Sequence, residues 1–255
     1  MPLIDTNVHL HRWPFRRLKL DAVDPLVSRL KRLGVSEAWA GSYDALLHRD
    51  VAAVNSRLVW DCERHPMLRA IGTVNPSLPD WEEDLRRCAE DHRMPGIRLY
   101  PNFHGYELSD PKFERLLREA SQRRMFVQIA VMMEEERTQH PLVQLPHVNT
   151  APLPALLKRI PDARVMLQNC FRSVRGGLLL QLLATKRVWF DISTVEGMAG
   201  IKRMLTTIPD SRLVFGTHAP LYIPESALLK LQESELTDAQ LEAIRYTSAA
   251  SVAHR

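Results

Sequence analysis

Asp5, Asn7 and His9 recur at every second position of the segment IDTNVHLH, and His11 continues the spacing. A β-strand turns alternate side chains to the same face. The row therefore predicts three polar groups pointing together, with Ile4, Thr6, Val8 and Leu10 on the opposite face. A carboxylate, an amide and an imidazole so placed can move a proton, donate to an oxyanion or ligate a metal. Comparable groups end other apolar runs. Arg98 and Tyr100 stand two apart before Asn102 and His104, and Gln128 precedes Glu134 and Arg137. Gln168-Asn169, Asp191-Ile192-Ser193-Thr194 and Gly216-Thr217-His218-Ala219-Pro220 close three more.

Positioning these residues requires a repeating frame, and the chain supplies one. Strands are expected over 3–9, 35–41, 68–75, 96–100, 125–131, 164–169, 187–192 and 212–216. Amphipathic stretches separate them. Asp24-Pro25 and Asp110-Pro111 read as helix openings, a capping residue followed by a first-turn proline. Further helices are expected over 45–64, from Pro79-Asp80 to about His92, and over 153–160, 173–185 and 195–208. Two more close the chain, one over 225–232 and one over 238–253. The segment between the fifth and sixth strands is long and irregular, carrying Pro141, Pro146, Pro152 and Pro154.

Eight strand–helix units predict an α/β fold, a (β/α)8 TIM barrel spanning 1–255 as one domain. The competitor, a doubly wound open sheet, normally has a glycine-rich loop after its first strand. Here HRWPFR follows, with no glycine before Gly34. Barrel active sites form at the C-terminal strand ends. The Asp5–Asn7–His9 row is accordingly expected to face the interior and reach the mouth.

Composition bounds the partners. With 45% hydrophobic and 25% charged residues, the chain can bury a sizeable core. The excess of 4 positive charges is spread over amphipathic helices, which points to solvated faces rather than nucleic-acid binding. Cys62, Cys88 and Cys170 are far apart and fit reduced thiols in the cytoplasm. No segment resembles a signal peptide, and no apolar run is long enough to cross a bilayer. The expected partner is a small molecule, neither nucleic acid nor membrane, with homo-oligomerisation left open.

IDTNVHLH, GIRLYPNFHGYELSDP, RVMLQNCF and LVFGTHAP, on the first, fourth, sixth and eighth strands, resemble the amidohydrolase-related branch of the amidohydrolase superfamily. That resemblance covers nearly the whole chain and implies a TIM-barrel hydrolase or decarboxylase of small molecules. It also implies a metal site, from which this sequence departs. Relatives carry two histidines on strand 1, where Asn7 and His9 stand; histidines on strands 5 and 6, where Ala130 and Asn169 stand; and a water-activating aspartate on strand 8, where His218 stands. Bound metal is therefore not favoured, although zinc or another divalent ion held by His9, His218 and Asp5 stays open.

The catalytic candidates are His218, His9, Asp5 and Asn169. His218 replaces the aspartate of the relatives and suits proton transfer near neutrality. His9 is the next base, and Asp5 serves equally as an orienting group. Asn7, Arg12, Arg98, Tyr100, His104, Glu134 and Arg137 are the substrate-binding candidates. A buried Arg98 calls for an anionic partner, for which Asp5, Glu134 or a substrate carboxylate qualifies. Arg12 can grip a carboxylate from the loop, Glu134 and Arg137 can pair with each other, and Met132-Met133 read as packing residues. Three functions remain in view: a metal-independent hydrolase of an ester, lactone or amide in a small carboxylated molecule; a zinc-dependent amidohydrolase or decarboxylase; and a catalytically inactive ligand- or partner-binding barrel.

Overall fold

The computed structural model describes residues 2–253. Eight parallel strands form, each followed by helix: β1 Ile4–Leu10, β2 Glu37–Ser42, β3 Leu68–Ala70, β4 Gly96–Leu99, β5 Phe126–Ala130, β6 Val165–Gln168, β7 Val188–Asp191 and β8 Leu213–Val214. They hydrogen-bond in the order β1-β2-β3 and β4-β5-β6-β7-β8. Two isolated bridges, Gly72 with Ile97 and Val8 with Ala219, join these arcs into a closed (β/α)8 barrel.

The strands are apolar on both faces because each is covered twice. Val127, Val165, Leu167, Val188 and Phe190 turn outward into the core shared with the helices. The other face carries Trp39, Phe126, Met166, Trp189 and Val214, which fill the bottom of the barrel with Ile4 and Ile71. Ala249 and Val252 of the C-terminal helix pack against this plug. Above it the interior turns polar, with Arg98, Gln128 and Gln168 all fully buried.

Several elements differ from the sequence expectation for local reasons. Residues 45–64 divide into a 3-10 turn, Tyr43–Leu46, and the helix Val51–Glu63, because the Asp50 carboxylate caps Ala53 N–H and restarts the helix there. Asp24 does not cap its helix. Val23–Arg32 starts two residues earlier from Ala22, with Asp24 in the first turn. The helix expected over 195–208 contracts to Gly200–Met204, since Gly197 and Ala199 adopt left-handed φ of 82° and 50°. By contrast Asp110 caps Pro111–Gln122 as expected, accepting from Lys112 N–H. Cys62, Cys88 and Cys170 are free and buried. Among the described residues no helix is long and apolar enough to cross a membrane.

Candidate functional site

Regular alternation along β1 fails at one point, and the site is built on that failure. The register against β2 shifts between Asp5 and Val8. Asp5 Oδ1 accepts the N–H of Asn7 two residues on, at 3.1 Å. The same carboxylate ties β1 to the β8 loop, accepting from Thr217 N–H at 3.0 Å and Thr217 Oγ1 at 2.6 Å. Ile4 consequently joins the interior plug instead of the outer face expected for it. The Thr6 carbonyl accepts from Arg98, Gln128 and Gln168, all three interior side chains. Beyond the irregularity Val8 and Leu10 pack outward, while Asn7 and His9 meet the polar groups of the other strands.

Arg98 sits at the centre without the carboxylate partner anticipated for it. Its Nε donates to Gln128 Oε1 at 2.8 Å. Nη1 donates to Val8 O at 2.7 Å and His9 Nε2 at 3.2 Å, and Nη2 to Thr6 O at 3.1 Å and Trp39 O at 3.0 Å. All five guanidinium N–H groups are thus used on neutral acceptors. Gly41 makes room for this, since a Cβ there would lie 2.9 Å from Arg98 Nη1.

The contact with Arg98 decides the state of His9. A guanidinium can only donate, so His9 Nε2 accepts and the ring proton lies on Nδ1. That Nδ1 is buried and has no partner among the described residues. Burial first, then the positive charge of Arg98, holds the imidazole pKa well below its usual value. Tyr43 stacks on the ring at 4.7 Å.

His218 has the opposite polarity. Its Nε2 lies 2.8 Å from the Met133 carbonyl, to which only an N–H can donate, so the lone pair is on Nδ1. The rings of His9 and His218 meet edge to face, 5.4 Å between centroids. Burial pushes the His218 pKa down to about 4, against the pull of the Met133 carbonyl. This corrects the expectation of a base titrating near neutrality.

His218 and Asn169 both have left-handed backbones, with φ of 57° and 54°. For non-glycine residues that conformation costs about 1–2 kcal/mol each, and such strain collects at functional sites. Asn169 Nδ2 donates to Met132 O at 2.8 Å, and its Oδ1 accepts from Asn7 Nδ2 and Ser193 Oγ. Asn7 Nδ2 also donates to Asp191 Oδ2 at 2.8 Å, and Asp191 Oδ1 receives Asn169 N–H. Asn7 Oδ1 has no partner among the described residues. Burial raises the carboxyl pKa of both Asp191 and Asp5, the latter to about 7.

Next to these residues is a void of about 20 Å3, room for one water. Tyr100, Ala130 and Met133 line it on one side, and Trp13, Phe15 and Phe103 form an aromatic wall. The fifth loop closes it, His140 stacking on Phe15 at 6.1 Å between centroids. Glu134 lies here, nearly buried, and pairs with Arg16 rather than with Arg137. Arg137 reaches Glu135 at 2.6 Å and is mostly exposed. Burial raises the Glu134 pKa, and Arg16 opposes the rise.

Arg12 is exposed and lies outside this lining. His104 contacts the Ala45 carbonyl at 2.9 Å and holds the short helix Pro101–His104 to the second loop. The structure thus assembles His9, His218, Asn7, Asn169 and Arg98 with Tyr100 beside them, and leaves Arg12 and Arg137 outside. Asp191, Thr217 and the main chain of Met132 and Met133 join the network without having been singled out. Asp191 and Thr217 carry a sequence signal, as polar residues ending strands.

The donor set does not suit a catalytic divalent metal. The His9 lone pair on Nε2 is taken by Arg98, whose charge a metal there would face, and both Asp5 oxygens accept hydrogen bonds. His218 Nδ1 is thus the one lone pair of the three residues left for an ion. Among the described residues no group of three His, Cys, Asp or Glu side chains is placed to hold an ion.

Residues 8–252 match the amidohydrolase family model. No curated protein matches the sequence. Solved structures with the same fold include 2,6-dihydroxybenzoate decarboxylase from Rhizobium (13% identity, 99% of this chain and 98% of that one, TM-score 0.77). Another is 5-carboxyvanillate decarboxylase from Sphingomonas paucimobilis (12%, 99% and 98%, TM-score 0.75). A third is dihydroxybenzoic acid decarboxylase from Polaromonas, with bound manganese and 2-nitroresorcinol (12%, 98% and 96%, TM-score 0.75).

Proposed function

The chain belongs to the amidohydrolase family, and from that premise we propose a hydrolase of ester, lactone or amide bonds in small molecules that works without a bound metal. The observation that carries this reading is the opposed state of the two imidazoles. His9 presents an N–H and His218 a lone pair, with ring centroids 5.4 Å apart. His218 Nδ1 takes a proton from water, whose oxygen forms a bond to the substrate carbonyl carbon. The oxyanion that develops receives the His9 Nδ1 proton as a hydrogen bond, beside the fixed charge of Arg98. Collapse breaks the bond to the leaving alcohol or amine, which receives the proton held by His218.

The aromatic wall favours an apolar acyl or leaving group. A substrate carboxylate would meet Arg16 in place of Glu134. Admission of any such molecule requires the fifth loop to lift, because the void of about 20 Å3 is far below the roughly 300 Å3 of a small ligand site. That closure also favours a second reading, a barrel that binds a ligand without transforming it. Decarboxylation, named for the three similar structures, would require an acid to protonate the carbanion; Asp5, raised to about 7 by burial, holds a proton, but both its oxygens are engaged by Asn7 and Thr217.

The test is turnover by chelator-treated protein on aryl esters, lactones and anilides, beside aromatic carboxylic acids followed for carbon dioxide. Hydrolysis that survives chelation supports the proposal. Activity restored only by a divalent metal, or release of carbon dioxide, overturns it. Ligand binding without turnover on any member selects the inert barrel.

A further inference from the structure

A second cleft, about 350 Å3, opens between the start of helix Gly176–Ala184 and the segment 194–208. It shares no lining residue with the void at the barrel mouth. Three arginines line it, Arg172, Arg175 and Arg203, against one acid, Glu196. Their charges are unequally compensated. Arg172 faces two carboxylates, Glu135 and Glu196, each at 2.9 Å. Arg175 spends its Nε on the Phe171 carbonyl, and Arg203 donates to the carbonyls of Met198 and Glu196. Neither Arg175 nor Arg203 has a carboxylate partner among the described residues, so two guanidinium charges in one cleft lack a counter-charge.

An independent observation points the same way. Thr194 lines the cleft, is only 7% exposed, and its Oγ1 has no hydrogen-bond partner among the described residues. A buried hydroxyl without a partner is unfavourable unless something else supplies one. The helix wall adds donors of its own. Gly176–Ala184 starts at Arg175 without a side-chain cap, and its first-turn N–H groups lack intrahelical acceptors. A Cβ added at Gly176 or Gly177 would meet nothing within 4 Å, which leaves the backbone open to a ligand. Guanidinium forks, a hydroxyl and uncapped amides together match a tetrahedral oxyanion.

We propose that this cleft binds a phosphate group, held by Arg175, Arg203, Thr194 Oγ1 and the amides that open helix Gly176–Ala184. The proposal makes no use of His9 or His218 and stands apart from the hydrolytic reading. Phosphate reaches such a site either free or as the end of a phosphorylated molecule, and both present the same oxygens.

Isothermal titration of the full-length protein with inorganic phosphate, at ionic strength fixed with chloride, tests it. One saturable site is expected. Arg175→Ala and Arg203→Ala should each weaken binding about tenfold or more, as the loss of a charge-assisted hydrogen bond does. Thr194→Val removes a hydroxyl that has no partner among the described residues. It should therefore weaken phosphate binding while leaving the melting temperature without phosphate unchanged or raised. A parallel titration with glycerol phosphate separates the sources: tighter binding marks a phosphorylated molecule, weaker binding the free ion. Absence of a saturable site for either ligand at millimolar concentration, or undiminished binding in the Arg175→Ala/Arg203→Ala double variant, overturns the proposal.

Discussion

Arg98 Nη1 lies 3.2 Å from His9 Nε2, and this contact sets the proton of His9 on the far nitrogen. A buried cation thus adjoins a neutral imidazole whose remaining N–H faces away from it. Nitrogen-15 chemical shifts of the imidazoles read such tautomers directly. The expected spectrum has His9 protonated on Nδ1 and His218 on Nε2, both neutral at neutral pH. A cationic His9, or its proton on Nε2, would dismantle this relationship.

Arg98 also holds the barrel interior together. Its guanidinium satisfies the carbonyls of Thr6, Val8 and Trp39 along with Gln128. Arg98→Met takes this donor from the Val8 and Trp39 carbonyls and from Gln128 Oε1, while Gln128 and Gln168 still donate to Thr6 O. The substitution should destabilise the protein by about 1–3 kcal/mol for each buried acceptor that loses its partner. Arg98→Lys should recover only part of this, since three ammonium donors cannot serve five acceptors. Urea denaturation of the three proteins is the measurement, and equal midpoints would refute the assignment.

Asp5 makes stability depend on pH in a defined sense. Burial pushes its carboxyl from 3.8 to about 7, against the donors of Thr217 and Asn7. Between those values the folded state holds a proton that the unfolded chain has released. The stabilisation is therefore complete below the unfolded value and lost as pH rises through about 7. His218 titrates in the opposite sense, its stabilisation present above 6.5 and lost as pH falls towards about 4. Comparison with Asp5→Asn isolates the carboxyl. From pH 4 to 8 the wild type should lose up to about 4 kcal/mol relative to the variant. A constant difference in unfolding free energy over that range would count against the raised pKa.

Elemental analysis after purification without chelator should find well under one equivalent of zinc, manganese or iron per chain. The reason is that the His9 lone pair and the Asp5 carboxylate are engaged with protein partners, which leaves His218 Nδ1 without companion ligands among these three. Stoichiometric metal that resists dialysis would mean that these contacts rearrange.

The barrel was legible because eight apolar runs alternate with amphipathic stretches, and polar residues end the runs on one side. Strand period and closure also brought His9 and His218 together from opposite ends of the chain. Other features depended on information that no local pattern contains. Ile4 left its expected face because Asp5 bonds to Thr217, 212 residues away. Glu134 paired with Arg16 and not with Arg137, a choice between arginines that loop geometry alone decides. The roles of Met132 and Met133 belong to their carbonyls, which side-chain chemistry cannot announce.

The most direct test of the proposed metal-independent hydrolysis is turnover against pH for the wild type and His218→Ala, on whichever ester, lactone or amide the chelated protein hydrolyses. His218 works as a base only when unprotonated. Wild-type activity should hold across neutrality and fall, one proton at a time, as pH drops through about 4. His218→Ala should lose about 10²- to 10⁴-fold in turnover, together with that acid limb, while remaining folded. A His218→Ala protein that keeps the wild-type rate and the wild-type limb would contradict the account.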